Sequence, residues 1–233
     1  MKDSVNKHPL RHAVHRAILS RKSTRAFLPK TVDPAIIDEL LQIAGSAPSG
    51  SNIQPWQVHV VSGAARDRLS AALLSEHEAG KPPVREYDYY PQEWRSPYIE
   101  RRRATGWGLY GVLGIGKGDR EASARQHGRN YVFFDAPVVL IFTIDADLPF
   151  GCWLDYGMFL QNIMIGARGY GLHTCPQAAL ANYPHVVKQQ LGIADDKIVM
   201  CGIAIGYENP DEPVNTFQPT RIPLEDYVTY HRD

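Results

Sequence analysis

Cysteine is scarce in this sequence, with three residues in 233, at Cys152, Cys175 and Cys201. None belongs to a CxxC pair, and an odd, widely spaced set does not build a disulfide framework. Such a pattern is typical of buried thiols in a reducing compartment, so we expect a cytoplasmic protein. The stretch from 1 to 16 mixes Lys, His, Arg and Asp without an apolar core, and no secretion signal is predicted there.

Net charge is also lacking, because 25 basic residues balance 25 acidic residues. A neutral chain has no electrostatic footprint for nucleic acid or for an anionic membrane surface. The triplet Arg101–Arg103 is one isolated basic patch at the start of a predicted helix. The apolar run Ala136–Ile144 has nine residues, whereas a helix needs about 20 to span a bilayer. We therefore expect neither a nucleic-acid partner nor a membrane.

Signatures of metal and hydrolase chemistry are missing from the sequence. It contains no HExxH motif, no carboxylate cluster at metal-ligand spacing and no GxSxG nucleophile elbow. The run Gly111–Gly118 fits the GxxxxGK part of a phosphate-binding loop, but Gly118 replaces the Ser or Thr that binds magnesium. His59 and His173 are expected to be structural residues and not catalytic bases. No metal site is predicted, and cofactor chemistry remains as the enzymatic interpretation.

The composition is that of a single globular domain, with 44% hydrophobic and 21% charged residues. No flexible linker divides the chain, so we interpret residues 1–233 as one domain. The continuous apolar run after Asp135 predicts a central strand that is buried on both faces. Other patterns predict strands at 57–61 and 197–206, and helices at 9–19, 34–44, 65–78 and 183–193.

The stretch from Asp155 to Arg168 predicts the most informative helix. Its twelve interior positions carry no charge. A helix that is apolar nearly all round must be buried all round. In a chain of this length with one sheet, either a second subunit covers the outer face of this helix or the helix is fully internal.

The run Arg21–Phe27 (RKSTRAF) alternates cationic side chains with a hydroxyl. If this run is extended, Arg21, Ser23 and Arg25 point the same way. Guanidinium groups bind phosphate through two parallel charge-assisted hydrogen bonds, and a serine hydroxyl can donate a third. The run therefore predicts an anion site, and the alternative is a solvated basic loop before a helix.

A second motif, Ala47–Trp56 (APSGSNIQPW), follows the next predicted helix. Pro, Ser, Gly and Asn in close succession do not form the interior of a helix or a strand, so this motif predicts a polar loop. The loop ends at a large aromatic residue, Trp56, directly before a predicted strand.

Together the two motifs resemble the N-terminal signature of the nitroreductase family of flavin enzymes. The resemblance covers residues 16–230. It implies an α+β fold, in which helices flank a central mixed β-sheet, and an intertwined homodimer in which the helix at 155–168 pairs with its twin. It also implies FMN as the cofactor and NAD(P)H as the electron donor.

The resemblance also implies a set of cofactor-binding residues. Arg21, Ser23 and Arg221 would hold the phosphate, and Arg25 would lie near N1 and O2 of the flavin and tune it electrostatically. No catalytic residue is expected beyond the flavin itself. A companion Lys that some members have beside Arg221 is absent here. The full set is Arg21, Lys22, Ser23, Arg25, Pro48, Ser49, Gly50, Asn52, Arg129, Asn130, Pro176, Gln177, Ala178, Ala179 and Arg221.

Two parts of this set have particular roles in the resemblance. The loop with Pro48, Ser49 and Asn52 would reach the FMN of the partner subunit. The segment Pro176–Ala179 would pack on one flavin face, with the backbone amide of Ala178 donating a hydrogen bond to N5. Many members have an acidic residue at the position of Ala178, so in this sequence only the backbone donor remains.

The segment Lys81–Tyr98 contains four tyrosines, one tryptophan and four prolines. It is too aromatic for a disordered linker and too rich in proline for regular structure. In the resemblance, residues 81–125 form a variable region over the flavin, which predicts a substrate lid. The alternative is a packed surface loop.

The sequence and the resemblance favour an FMN-dependent oxidoreductase. It would transfer electrons from NAD(P)H by a ping-pong mechanism to nitroaromatic or quinone-type acceptors, which are small aromatic substrates. Other activities of the same flavin family, reductive dehalogenation or reduction of enones, remain as alternatives. A flavin-binding protein without turnover is a further alternative from another class.

Overall fold

The computed structural model describes residues 10–232, which form seven α-helices, several short 3₁₀ helices and a four-stranded sheet. The helices are α1 (Leu10–Ser20), α2 (Pro34–Ala44), α3 (Gly63–Glu78), α4 (Tyr98–Val112), α5 (Arg120–Gly128), α6 (Phe150–Gly169) and α7 (Pro184–Leu191). The strands are β1 (Gln57–Ser62), β2 (Val138–Asp145), β3 (His173–Gln177) and β4 (Lys197–Gly206).

The predicted start signal of α2 is confirmed in detail. Asp33 caps the helix by accepting a hydrogen bond from the Ala35 amide at 2.9 Å, and Pro34 occupies the first turn. By contrast, α6 begins at Phe150 and not at Asp155. The residue before it, Pro149, lacks an N–H group and has a restricted φ, which suits the entry to a helix.

The sheet has the strand order β1-β2-β4-β3, and all three pairings are antiparallel. Among the described residues, the one parallel pairing is an isolated bridge between Ser23 and Thr174. The expected α+β architecture of a helix-flanked sheet is therefore confirmed. The four strands themselves are antiparallel, and the sheet is mixed only through this bridge.

Strand β2 divides the core into two layers, because its side chains alternate between the faces of the sheet. Leu140 and Phe142 face the layer formed by α2 and α6, whereas Val139 and Ile141 face the layer formed by α3, α5 and α7. Residues 138–144 are all buried, as expected for a central strand.

Helix α6 buries only one of its two apolar faces within this chain. The inner face carries Tyr156, Phe159 and Ile163, which are buried in the core. On the outer face, Phe150 is 88% exposed and Leu154 is 73% exposed. Within the predicted stretch, Gly157 is exposed and Met158, Leu160, Met164 and Ile165 are half-buried, so the interpretation of a fully internal helix is wrong for this chain. Helix α1 likewise buries none of its side chains in this chain.

Within residues 10–232, no helix combines the length and the apolar character that a bilayer-spanning segment requires.

Candidate functional site

The basic run Arg21–Phe27 is extended and lies beside β3. Ser23 forms the parallel bridge with Thr174, and the Thr24 amide donates a hydrogen bond to the Thr174 carbonyl at 3.0 Å. Thr24 is fully buried, whereas Ser23 and Arg25 are half-buried. Side chains therefore alternate between an inner and an outer side of this run, as the sequence predicts.

The inner side of the run is electrically balanced. The Lys22 ammonium lies 2.5 Å from a Glu208 carboxylate oxygen and donates a hydrogen bond to the Asn215 carbonyl at 2.7 Å. The other Glu208 oxygen is 3.1 Å from Nδ1 of His173. Lys22 is one of the predicted cofactor-binding residues, but the structure gives its charge a partner within the protein.

The outer side of the run is not balanced. Burial lowers the pKa of Arg21, and the positive charge of Arg221 lowers it further. Among the described residues, Arg21 has no hydrogen bond or ion pair, and Arg221 donates only to the carbonyls of Pro219 and Thr220. Two neighbouring guanidinium groups without a carboxylate form a site for an anion such as phosphate.

Arg25 is held in place by a residue that the sequence did not indicate. Its amide donates a hydrogen bond to Oδ1 of Asn215 at 2.7 Å, and Nδ2 of Asn215 donates to the carbonyls of Ala26 and Asn209, both at 2.8 Å. Asn215 is buried and lies 190 residues away in the chain. A lone Asn in a C-terminal loop has no local pattern that would reveal this role.

The side chains of Arg21 and Arg25 both lie near Cys175, a residue of β3. Burial raises the pKa of the Cys175 thiol to about 11, and the positive charges of Arg25 and Arg21 oppose this increase. Cys175 is fully enclosed in β3, so we interpret it as a core residue of the wall that supports the basic run.

The loop Ala47–Trp56 is shaped by backbone conformations that non-glycine residues rarely adopt. Ser51, Asn52 and Gln54 have φ values of 50°, 57° and 49°. The Gly50 amide donates a hydrogen bond to a carboxylate oxygen of Asp155 at 3.0 Å, which ties the loop to α6. Pro48, Gly50 and Asn52 are exposed in this chain.

This loop and the basic run are too far apart to meet within one chain. The loop precedes β1 at one edge of the sheet, whereas Ser23 lies beside β3 at the other edge. Three strand spacings of about 4.8 Å separate β1 from β3, or roughly 14 Å. The two motifs also lie at opposite ends of the strands, because Gln57 pairs with Thr143 near Val199, whereas Thr174 pairs with Ile205.

The segment Pro176–Ala179 continues from β3 into the 3₁₀ helix Ala178–Asn182. Pro176 is exposed, and Ala178 and Ala179 are half-buried. Gln177 is buried, and its side-chain amide donates to the Asn130 carbonyl at 2.8 Å. Its Oε1 atom is enclosed without a hydrogen-bond partner among the described residues.

Arg129 and Asn130 are both engaged by the protein. Arg129 forms a bidentate pair with Asp135, with N–O distances of 3.0 and 2.6 Å, and Nδ2 of Asn130 donates to the His127 carbonyl at 3.0 Å. The turn after them is tight, because Phe133, Phe134 and Asp135 all have positive φ. These side chains therefore fix the entry to β2.

The segment Lys81–Pro97 is anchored in its first half. The Val84 amide donates to the Asn182 carbonyl at 2.8 Å, Glu86 accepts from the Val199 amide at 2.9 Å, and the Tyr87 hydroxyl donates to the Met200 carbonyl. Tyr89 and Tyr90, by contrast, are about half exposed. The segment thus combines a packed part with an exposed aromatic part.

At the other end of this region, helix α4 packs against the C-terminal segment. A Cβ atom on Gly108 would lie 2.5 Å from the Phe217 ring, so only glycine permits this contact. The contact lies two residues after Asn215, which holds Arg25. The region from 81 to 112 is therefore attached at Asn182, beside the Pro176–Ala179 segment, and at Phe217, beside the basic run.

No group of three or more His, Cys, Asp or Glu side chains that could bind a metal ion occurs among residues 10–232.

Comparison with known proteins identifies relatives over most of the chain. The model of the Nitroreductase family matches residues 18–207. A 4-nitrobenzoate reductase from Pseudomonas putida is 40% identical, with 88% of this chain and 89% of the relative covered. A nitrobenzene nitroreductase from Ectopseudomonas oleovorans is 37% identical, with 91% and 94% covered. The crystal structure of an FMN and NADPH-dependent nitroreductase, NfnB, from sphigopyxis sp. strain HMH matches with a TM-score of 0.92 at 35% identity, covering 94% of this chain and 99% of that one.

The buried cluster behind the basic run predicts a pH dependence of stability. Burial, Arg168 and Lys22 lower the pKa of His173 to about 4, although Glu208 acts in the opposite direction. Below its ordinary pKa of about 6.5, His173 gains a proton in the unfolded chain but not in the folded one. The free energy of unfolding should therefore fall by up to about 1.4 kcal/mol per pH unit as the pH drops from 6.5 towards 4.

Urea unfolding at several pH values tests this expectation. The variant His173→Gln should lose stability less steeply than the wild type over this range, whereas His231→Gln, at an exposed position in the C-terminal segment, should follow the wild type. Equal slopes for wild type and His173→Gln would contradict the assignment.

Proposed function

Because this chain belongs to the nitroreductase family, we propose that it is an FMN-dependent oxidoreductase that passes electrons from NAD(P)H to nitroaromatic or quinone-type acceptors. The observation that carries the proposal is the uncompensated pair Arg21 and Arg221 beside Ser23. This pair suits the phosphate of FMN. The similarity of this chain to a 4-nitrobenzoate reductase and to an FMN and NADPH-dependent nitroreductase supports the same function.

The residues of the basic run fit FMN in their chemistry. Arg21 and Arg221 supply the charge for the phosphate, and the Ser23 hydroxyl adds a donor. Bound FMN would supply the redox chemistry between NAD(P)H and the acceptor. The protein contributes binding, orientation and electrostatics, and no protein side chain acts as an acid or base in the hydride step.

Arg25 has an electrostatic role in this proposal. It is a permanent cation whose backbone is fixed by Asn215, so it stabilises negative charge that develops on the pyrimidine part of the cofactor. The amide of Ala178 is the predicted donor towards N5. Pro176 and Ala179 present backbone to the ring, because they have no polar side chain.

Four of the predicted cofactor residues support the site without direct side-chain contact. Lys22 is paired with Glu208, Arg129 is paired with Asp135, and Gln177 binds Asn130. We propose that these pairs hold the basic run, the entry to β2 and the end of β3 in register around the cofactor.

The site needs a second subunit. The loop with Pro48, Ser49, Gly50 and Asn52 lies across the sheet from the basic run of its own chain, so it serves the FMN of a partner. The exposed apolar faces of α1 and α6 are the surfaces that the partner covers. Residues 1–233 act as one FMN-binding domain, and residues 81–125 are its variable insert and lid.

The first prediction from this proposal concerns assembly. The wild type should sediment at micromolar concentration as a homodimer with FMN bound. Leu154→Arg places a charge on the exposed apolar face of α6 and should give a monomer that does not retain FMN, because desolvating an unpaired charge is costly. Gln190→Arg, which adds the same charge on the exposed side of α7, should remain dimeric. A folded yellow monomer of the wild type would sink the proposal.

The second prediction concerns cofactor affinity. Arg21→Ala removes a charged partner of the phosphate, and hydrogen bonds to charged groups contribute about 1.5–3 kcal/mol, or on the order of 10 to 100-fold in affinity. Fluorescence titration of the apoprotein with FMN measures the loss. Arg68→Ala, at an exposed position of α3, is the matched control and should bind FMN like the wild type. Equal affinity of Arg21→Ala and the control would contradict the phosphate assignment.

The third prediction concerns turnover and its order. The enzyme should oxidise NAD(P)H steadily in the presence of menadione or 4-nitrobenzoate, which a flavin store would not do. Nicotinamide and acceptor should alternate at one face of the cofactor, so enzyme reduced by NADPH and freed of nicotinamide should still reduce the acceptor in a stopped-flow experiment. Arg25→Ala should slow the reduction by NADPH more than it weakens FMN binding, whereas His59→Ala should leave the rate nearly intact.

If the reduced enzyme reacts with the acceptor only while oxidised nicotinamide remains bound, the alternating order is wrong. If no acceptor supports NADPH oxidation, the flavin-binding alternative without turnover holds instead.

A further inference from the structure

Arg85 is a half-buried cation at the anchored end of the lid, and no acidic side chain balances it. Its Nε donates a hydrogen bond to Oδ1 of Asn182 at 2.7 Å, and its guanidinium lies 5.6 Å from the centre of the Tyr90 ring. Within the described part of the chain, no carboxylate oxygen lies within the 4.0 Å of an ion pair with Arg85. The neighbouring Glu86 is occupied by Lys188 and by the Val199 amide.

This arrangement fixes the guanidinium and leaves its other N–H groups free. Asn182 is buried and is itself held, because its Nδ2 donates to the Tyr131 hydroxyl at 2.8 Å. Tyr90 covers one face of the guanidinium, and a cation stacked on a ring keeps its N–H groups at the edge of the plane. A rigid, partly desolvated fork of this kind binds a carboxylate through two parallel hydrogen bonds.

The position of Arg85 relates it to the redox site. Asn182 is the last residue of the 3₁₀ helix that begins at Ala178, the predicted donor towards N5. Four residues at about 2.0 Å rise place the two ends roughly 8 Å apart. Arg85 is thus hydrogen-bonded to the far end of the segment that begins at the predicted N5 donor.

There is also space for a ligand beside Arg85. The side chain lines a cavity of about 490 Å³ between the lid and α7. The other basic side chains of this cavity are already engaged, because Lys188 is paired with Glu86 and His185 lies 3.6 Å from a carboxylate oxygen of Glu76. The lining also carries the carboxylates of Glu86 and Asp195, and Arg85 is the one basic side chain of this lining without an ion pair among the described residues.

We infer that Arg85 determines acceptor specificity by binding the carboxylate of an aromatic acceptor, so that the enzyme prefers carboxylated over neutral nitroaromatics. This inference rests on the proposed function and names the substrate class of the same site. Family membership does not indicate which acceptor is preferred, because the relatives include a 4-nitrobenzoate reductase and a nitrobenzene nitroreductase.

A carboxylate of the acceptor fits Arg85 better than the 2′-phosphate of NADPH. A single guanidinium matches a single negative charge, whereas a doubly charged phosphate calls for a second cation, as the pair Arg21 and Arg221 provides in the basic run. The rings of Tyr87, Tyr89 and Tyr90 near Arg85 also suit a flat aromatic acceptor.

The test compares two acceptors of nearly equal shape, 4-nitrobenzoate and its neutral methyl ester, with the FMN-loaded dimer and NADPH. Wild type should favour the acid in kcat/KM. Arg85→Gln keeps a donor for Asn182 but removes the charge, and the ratio of kcat/KM for acid over ester should fall about 10-fold or more, mainly through KM. Arg68→Gln removes an exposed arginine of α3 and should keep the wild-type ratio. Arg85→Lys should recover part of the preference.

A binding measurement that needs no turnover accompanies the kinetics. Benzoate has no nitro group and therefore cannot be reduced by the enzyme. Its binding to the FMN-loaded protein is measured by calorimetric titration. Wild type and Arg68→Gln should bind benzoate, and Arg85→Gln should bind it about 10-fold more weakly.

The outcomes separate the inference from the proposed function. An unchanged acid-to-ester ratio and unchanged benzoate affinity in Arg85→Gln overturn the inference while turnover stands. If Arg85→Gln raises KM for NADPH but not for 4-nitrobenzoate, the inference is overturned, and Arg85 binds the nicotinamide cofactor instead. Failure of the wild type to oxidise NADPH with either acceptor or with menadione sinks the proposed function, and the benzoate titration then still decides whether Arg85 binds a carboxylate.

Discussion

The organisation of the site depends on how the charges of the basic run are divided between its two sides. On the inner side, Lys22 is compensated by Glu208, and this pair lies against His173 in β3. On the outer side, Arg21 faces Arg221 without a carboxylate. A compensated ion pair adds little net attraction for a ligand, whereas two uncompensated guanidiniums in a partly desolvated place attract an anion strongly. Because side chains alternate in direction along this run, Lys22 forms an internal ion pair while Arg21 on the other side remains uncompensated.

The sheet imposes the second constraint. The loop before β1 and the run beside β3 are separated by the width and by the length of the sheet. Neither can move towards the other, because β2 and β4 between them form the buried centre of the fold. A site that uses both motifs must therefore be built from two chains. The apolar outer face of α6 and the unburied helix α1 are consistent with that need, since large exposed apolar surfaces mark sites of association.

The region from 81 to 112 combines an anchored part with an exposed part. Backbone and side-chain hydrogen bonds fasten its start to Asn182 and β4, and the close contact of Gly108 with Phe217 fastens α4. Between these anchors lie the exposed rings of Tyr89 and Tyr90. The region is thus neither a free lid nor a packed loop. Its anchored part gives Arg85 a defined position, and its exposed part leaves room for a flat ligand.

The sequence by itself determined the features that depend on neighbours within a few residues. Alternation in the run after Arg21, the capped start of α2 at Asp33 and Pro34, the buried central strand and the uncharged stretch 156–167 of α6 all follow from local spacing, and the resemblance of two short motifs was enough to indicate the family. Only the tertiary structure decided which of the predicted residues are free. Lys22 and Arg129 both belong to the predicted cofactor-binding set, but Glu208 and Asp135 form ion pairs with them. Asn215 and Asn182 position Arg25 and Arg85, although neither belongs to a motif. The physical reason is that ion pairs and hydrogen bonds between residues far apart in the chain form only when the fold brings them within about 3 Å. The local spacing of residues does not show which distant residues come that close.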